Sequence, residues 1–176
     1  FLSPVKRFIG FANYQRMFAD PRFWKILLNT TLYSVGRVVL SLSLGLLFAI
    51  LLNQKVFGQS AFRVLIFSPY VTTTAAVAVL WIWVFDPNFG LINYILSLVG
   101  ITGPRWLTST TWAMPALLIM NAWRSSGYTM VIFLAGLQNI SREYYEAAEI
   151  AGATKFQSFR HITMPLLTPT TFFLVI

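Results

Sequence analysis

Two groups of residues have types and spacings that could do chemistry. Asn121, Arg124, Ser125 and Tyr128 lie at offsets of three, four and seven from the first, so they share one face of a helix. An amide, a guanidinium, a hydroxyl and a phenol suit a polyhydroxylated solute. They can hydrogen-bond its hydroxyls and stack against its apolar face. The second group is Glu146-Ala147-Ala148, then Gly152, Ile162 and Pro165, with Ser141 and Glu143 just before it. Ser141 can cap a helix N-terminus. Glu143, Glu146 and Ala147 then share a face, and early carboxylates suit the positive end of that helix. Ala147 and Ala148 keep it thin, and Gly152 can end it in a left-handed conformation. A second short helix, from Ala153 to His161, follows with Lys155 and Arg160, and Pro165 is expected to start the next one. The expected object is a helix–glycine–helix elbow, acidic on one arm and basic on the other, suited to docking in a cleft of a soluble partner.

Catalytic chemistry finds little material. There is one histidine, His161, and two aspartates, Asp20 and Asp86, stand far apart. Cysteine is absent, which excludes disulfides and thiolate metal sites. No Gly-x-x-x-x-Gly-Lys loop is present to bind ATP in that way. No metal site and no triad can be assembled, and the chain is read as not an enzyme.

The elements that must position these groups are membrane helices. Hydrophobic residues make up 57% of the chain and charged residues 10%, against about a quarter charged in a soluble domain. Residues 29–52, 64–85 and 112–138 are each long enough to cross about 30 Å of hydrocarbon, and backbone satisfaction in lipid requires helices. The expected organisation starts with an interfacial segment at 1–28. The three spans follow, joined by a loop at 53–63 and, on the other side of the membrane, by a connection with an interfacial helix at 86–111. The elbow occupies 139–164, and 165–176 starts a further transmembrane helix. The fold class is an all-α polytopic transmembrane bundle, expected to be a fragment without its terminal helices. The net charge of +8 is assigned to anionic lipid headgroups, not to nucleic acid. Charge does not orient the chain, because the two sides carry six and five Lys/Arg and the positive-inside rule needs an asymmetry.

An arginine at mid-span is costly unless it faces protein or water. Two roles are therefore open to Arg124: contact with a solute, or a structural partnership with a carbonyl or another helix. Thr72-Thr73-Thr74 follows Pro69, and such threonines are expected to bond carbonyls freed by the proline.

The string from Glu146 to Pro165 resembles the coupling-loop motif of permease subunits of binding-protein-dependent ATP-binding-cassette importers. That motif is Glu-Ala-Ala, three residues, Gly, nine residues, Ile, one residue, Leu-Pro. The chain departs from it only at Met164, a volume-conserving change. Looser likeness to the carbohydrate branch, the maltose and glycerol-phosphate type, extends over Phe8 to Tyr14, Trp81 to Asn93 and Trp123 to Leu137. The resemblance implies a multi-pass prokaryotic plasma-membrane subunit, with 53–63 and 139–164 cytoplasmic and 1–28 and 86–111 extracytoplasmic. It also implies an ATPase subunit that binds ATP and Mg while this chain holds no cofactor. A second permease subunit, identical or a sister chain, and an extracytoplasmic solute-binding protein are its other implied partners. By the same resemblance Arg124, Ser125 and Tyr128 line the translocation path, and Glu143, Glu146, Ala147, Ala148, Gly152, Ile162 and Pro165 couple to the ATPase. The competing reading is a secondary transporter or a channel-type protein. No acidic residue lies inside any expected span, which counts against proton coupling.

Overall fold

The structure is a computed structural model that describes residues 8–54 and 57–176. Residues 1–7 of the expected N-terminal segment, and Lys55 and Val56 of the expected loop at 53–63, lie outside the described residues. Every element present among the described residues is helical. They divide into two units, residues 1–36 and 37–176.

In the first unit, α1 (Ala12–Ala19) ends at Asp20, whose backbone is extended, as expected for a residue before proline. Pro21 then opens α2 (Pro21–Leu52), a position where its missing N–H costs nothing. The Asp20 carboxylate accepts the Arg22 N–H at 2.8 Å. Trp24 Nε1 donates to the Phe18 carbonyl at 2.9 Å, and the rings of Phe18, Phe23 and Trp24 pack edge to face or tilted.

The second unit is built around α6 (Ala113–Gln138). The last half of α2 meets it along Ser41, Gly45 and Ala49, small residues four apart that let helix backbones approach closely. A Cβ added at Gly45 would lie 2.1 Å from Thr129 Oγ1. That hydroxyl donates to the Ser41 carbonyl at 2.9 Å. Ala49, Leu52, Met130, Phe133, Leu134, Leu137 and Leu167 form the main core.

The expected single span at 64–85 is two helices. α3 (Gln59–Val71) and α4 (Thr74–Val84) meet at 101°, across extended backbone at Thr72 and Thr73. Pro69 lies inside α3; it cannot donate to the Leu65 carbonyl and its ring presses on it. Ser68 Oγ donates to that freed carbonyl at 3.1 Å, and Thr72 Oγ1 donates to the Ser68 carbonyl at 3.0 Å. By length and hydropathy, α2 alone among the described helices can cross a membrane, or α2 and the bent pair if the pair counts as one span. At 26 residues, α6 is long enough, but its polar stripe keeps it below that hydropathy.

Past α4, Asp86 turns the chain. Its carboxylate accepts the Asn88 and Phe89 N–H groups at 2.8 and 3.1 Å, an Asx turn. Helix α5 (Leu91–Leu98) ends at Gly100 (φ 76°). Asn93 holds the return segment. Its amide donates to the carbonyls of Pro87 and Pro104 at 3.1 and 3.3 Å, and its oxygen accepts Trp106 Nε1–H at 2.7 Å. Trp106 in turn fills a second core with Phe85 and Ala116. Replacing Asn93 with alanine strands these partners, at a cost of about 1–3 kcal/mol for each buried group left unpaired. We expect trypsin to cleave Asn93→Ala after Arg105 several-fold faster than the parent, in the full-length protein in detergent. Equal cleavage rates would show that Asn93 does not hold this segment.

Candidate functional site

The elbow leaves α6 through Asn139 and Ile140. Ser141 caps α7 (Arg142–Ile150), its Oγ accepting the Glu143 N–H at 3.3 Å. The helix ends in a Schellman motif. Gly152 N–H donates to the Glu149 carbonyl and Ala153 N–H to the Ala148 carbonyl, each at 2.9 Å, with Gly152 left-handed at φ 76°. Thr154 opens α8 (Lys155–Ser158) with a capping box. Its N–H donates to Gln157 Oε1 at 2.7 Å, and the Gln157 N–H donates back to its Oγ1 at 3.3 Å. Five capping hydrogen bonds within a short span thus define both arms without help from any core.

Pro165 stands in the first turn of α9 (Met164–Leu166), but that helix is not a fresh start. The chain runs from α8 through a π-helical turn, Phe159–Thr163, into α9. An α-helical register would set the Pro165 ring against the His161 carbonyl and leave that carbonyl without its donor. The wider turn accommodates the proline, and the Met164 N–H reaches back to Phe159 O. The following helix, α10 (Thr168–Val175), carries Pro169 in its first turn. It packs on α6 where Gly136 makes room: a Cβ there would lie 2.8 Å from Thr170 Oγ1 and 2.9 Å from Leu167 Cδ2.

Glu143, Glu146, Ala147, Gly152 and Pro165 are exposed, while Ala148 and Ile162 are half-buried. Ile150 and Phe156, on either side of the glycine, are 90% and 69% exposed. Two apolar side chains held in the open beside carboxylates are suitable anchors for a partner's cleft. The sequence motif did not single out Ile150. Nor did it single out Tyr145, whose hydroxyl lies 2.8 Å from Thr163 Oγ1 and ties the first arm to the π turn.

The four stripe residues of α6 are all half-buried. Ser125 Oγ donates to Asn121 Oδ1 at 3.0 Å. Tyr128 stacks on Tyr70 of α3, with ring centroids 4.9 Å apart and planes 20° from parallel. Trp123, next to Arg124, meets Trp81 of α4 edge to face at 5.6 Å. Buried Arg124 Nε and Trp81 Nε1 have no hydrogen-bond partner among the described residues. The arrangement joins donors and aromatic faces from α3, α4 and α6, groups that can hydrogen-bond and stack on a polyhydroxylated solute. Tyr70 and Trp81 are absent from the sequence-derived site. Nothing in their spacing connects them to the stripe, and the bend after Val71 decides what they meet. The stripe and the elbow share α6, with Gly136 and the α10 contact between them.

Residues 41–176 match the family model described as binding-protein-dependent transport system inner membrane component. A probable ABC transporter permease protein of Pyrococcus horikoshii is 40% identical over 172 residues, 97% of this chain and 59% of that protein. The trehalose/maltose transport system permease protein MalF of Thermococcus litoralis is 36% identical over 166 residues, 94% of this chain and 56% of that protein. The chain therefore spans little more than half the length of these curated relatives. Among solved structures, a chain of a bacterial alginate ABC transporter, in complex with an alginate pentasaccharide-bound periplasmic protein, superposes with a TM-score of 0.81. It is 27% identical, over 93% of this chain and 57% of that one.

Proposed function

The chain belongs to the family of binding-protein-dependent transport system inner membrane components, and we infer that it forms part of the membrane permease of an ATP-driven importer of a sugar or sugar-like solute. The elbow carries the reading. Arms defined by their own caps, with an exposed acidic and apolar face at Glu143, Glu146, Ile150 and Phe156, suit docking in a groove of a separate ATPase subunit. That subunit binds ATP and Mg. Its closure draws the elbow inward, and α6 and α10, joined to the two ends of the elbow, shift with it. The stripe then faces the other side of the membrane and takes solute from an external binding protein. Each ligand drives the switch only through its different affinity for the two states. A second permease subunit completes the path, and this chain performs transport without catalysis of its own. Relatives named for trehalose and maltose, and a structural neighbour that handles alginate, support a carbohydrate, as do the Tyr70–Tyr128 stack and the Asn121–Ser125 pair.

A crosslink tests the coupling. Ala147 is exposed where Ala148 is half-buried, so Ala147→Cys is the better probe. It is introduced into the full-length protein freed of other cysteines and paired with a cysteine in the groove of the ATPase. A crosslink in native membranes whose yield changes with ATP is expected. No crosslink with both proteins present, and labelling of Ala147→Cys from outside the cell only, would remove this reading.

A further inference from the structure

Helix α7 has two faces. Glu143, Glu146 and Ala147 are exposed, whereas Tyr145 and Ala148, three apart, are half-buried toward the rest of the chain. Tyr145 reaches the π turn, where its hydroxyl and Thr163 Oγ1 stand 2.8 Å apart. Thr163 is 5% exposed. Its use differs from that of three other helical threonines and, like that of Thr129, joins two helices. Thr31, Thr168 and Thr171 each bond back to the carbonyl four residues earlier, the ordinary habit of a helical threonine. Thr163 is instead linked across to another helix.

The link also lies at a mechanically useful point. The Thr163 carbonyl accepts the Leu167 N–H at 3.0 Å. Leu167 is 1% exposed and belongs to the core with Phe133, Leu134 and Leu137 of α6. The two arms are also joined through the Schellman turn around Gly152, which is exposed and has no packing beside it: a Cβ there would find no atom within 4 Å. The caps define each arm but not the angle between them. The Tyr145–Thr163 bond closes the triangle.

We propose that Tyr145 is a positioning residue for energy coupling: its bond to Thr163 makes the elbow stiff, so that force on the docking face of α7 reaches the core of α6 and α10 and is not absorbed at Gly152. The proposal rests on the coupling function inferred above. It separates two things that one elbow does. The outer face holds the ATPase, and the inner bond transmits its movement.

The test uses the complete transporter, permease pair, ATPase and binding protein, in proteoliposomes with the solute it imports. Tyr145→Phe keeps the ring and removes the hydroxyl. The ATPase is expected to copurify as with the parent and to hydrolyse ATP, while solute moved per ATP falls about three- to tenfold, the scale of one lost hydrogen bond. Thr163→Val, nearly isosteric, is expected to match it. Thr163→Ser, which keeps the hydroxyl but loses the methyl, is expected to restore the parent ratio. The double variant Tyr145→Phe/Thr163→Val is expected to be no worse than either single one, because both remove one interaction. An unchanged ratio in Tyr145→Phe overturns the proposal, as does Thr163→Ser behaving like Thr163→Val, which would mark a packing role. Absence of the Ala147→Cys crosslink in the parent removes the coupling function and this proposal together. A normal crosslink with a normal ratio in Tyr145→Phe removes this proposal alone.

Discussion

Replacing Gly127 with alanine is expected to destabilise the protein, against the trend of helix propensity. Alanine in a helix interior is worth about 1 kcal/mol over glycine, so propensity alone predicts a gain. Packing opposes it. A Cβ at Gly127 would lie 2.3 Å from the Ile66 carbonyl oxygen and 2.7 Å from Phe67 Cα. Both are backbone atoms of α3, and no rotamer change can move them aside. The two helices must separate, and overpacking of this kind costs about 1–3 kcal/mol, occasionally more; with a backbone neighbour the upper end applies. The same separation pulls Tyr70, one turn beyond Phe67, away from Tyr128, so transport falls with stability. Thermal unfolding of the full-length permease in detergent should show a midpoint several degrees lower for Gly127→Ala. A midpoint equal to the parent's, or higher, would show that propensity wins and that α3 does not press on α6 here.

Tyr128→Ala is expected to behave in the opposite way, losing function and keeping the fold. Tyr128 is half-buried and outside both cores. Its main described contact is the stack on Tyr70. Removing the ring takes away one aromatic face of the proposed solute path and lets Tyr70 reorient. Uptake should fall about tenfold, equivalent to roughly 1.4 kcal/mol, at unchanged membrane abundance. Tyr128→Phe, which keeps the face, should retain most uptake. Normal uptake by Tyr128→Ala at parent abundance would exclude this ring from the path and leave the stripe a structural feature. The pair of variants also separates the two explanations for any defect near this helix. Gly127→Ala acts through the distance between helices and Tyr128→Ala through the surface they present.

Much of the elbow is legible in the residues because its geometry is local. Ser141 as a cap and Gly152 as a left-handed stop depend on atoms only a few residues away, and residue type decides them. The helical fold class is legible for a similar reason: a chain this apolar must satisfy its backbone within each segment. Two features are not legible from signals of the same local kind. Hydropathy averages over residues 64–85 and does not register that the extended Thr72 and Thr73 break the helix. Pro165 stands in a first turn, that of α9, as proline favours, but nothing local shows that a π turn joins that turn to α8 without a break.

Residue types and spacing alone thus call for an all-helical chain, a capped acidic-then-basic elbow after α6, and a polar stripe from Asn121 to Tyr128. What these meet is set by packing: Tyr70 against Tyr128, Trp81 against Trp123, and Tyr145 against Thr163. The division follows from the range of the forces. Caps and periodicity act along a few residues of backbone. Tyr70 meets Tyr128, for example, because α3 approaches α6 closely at Gly127, and in each pair neither residue carries a mark of the other.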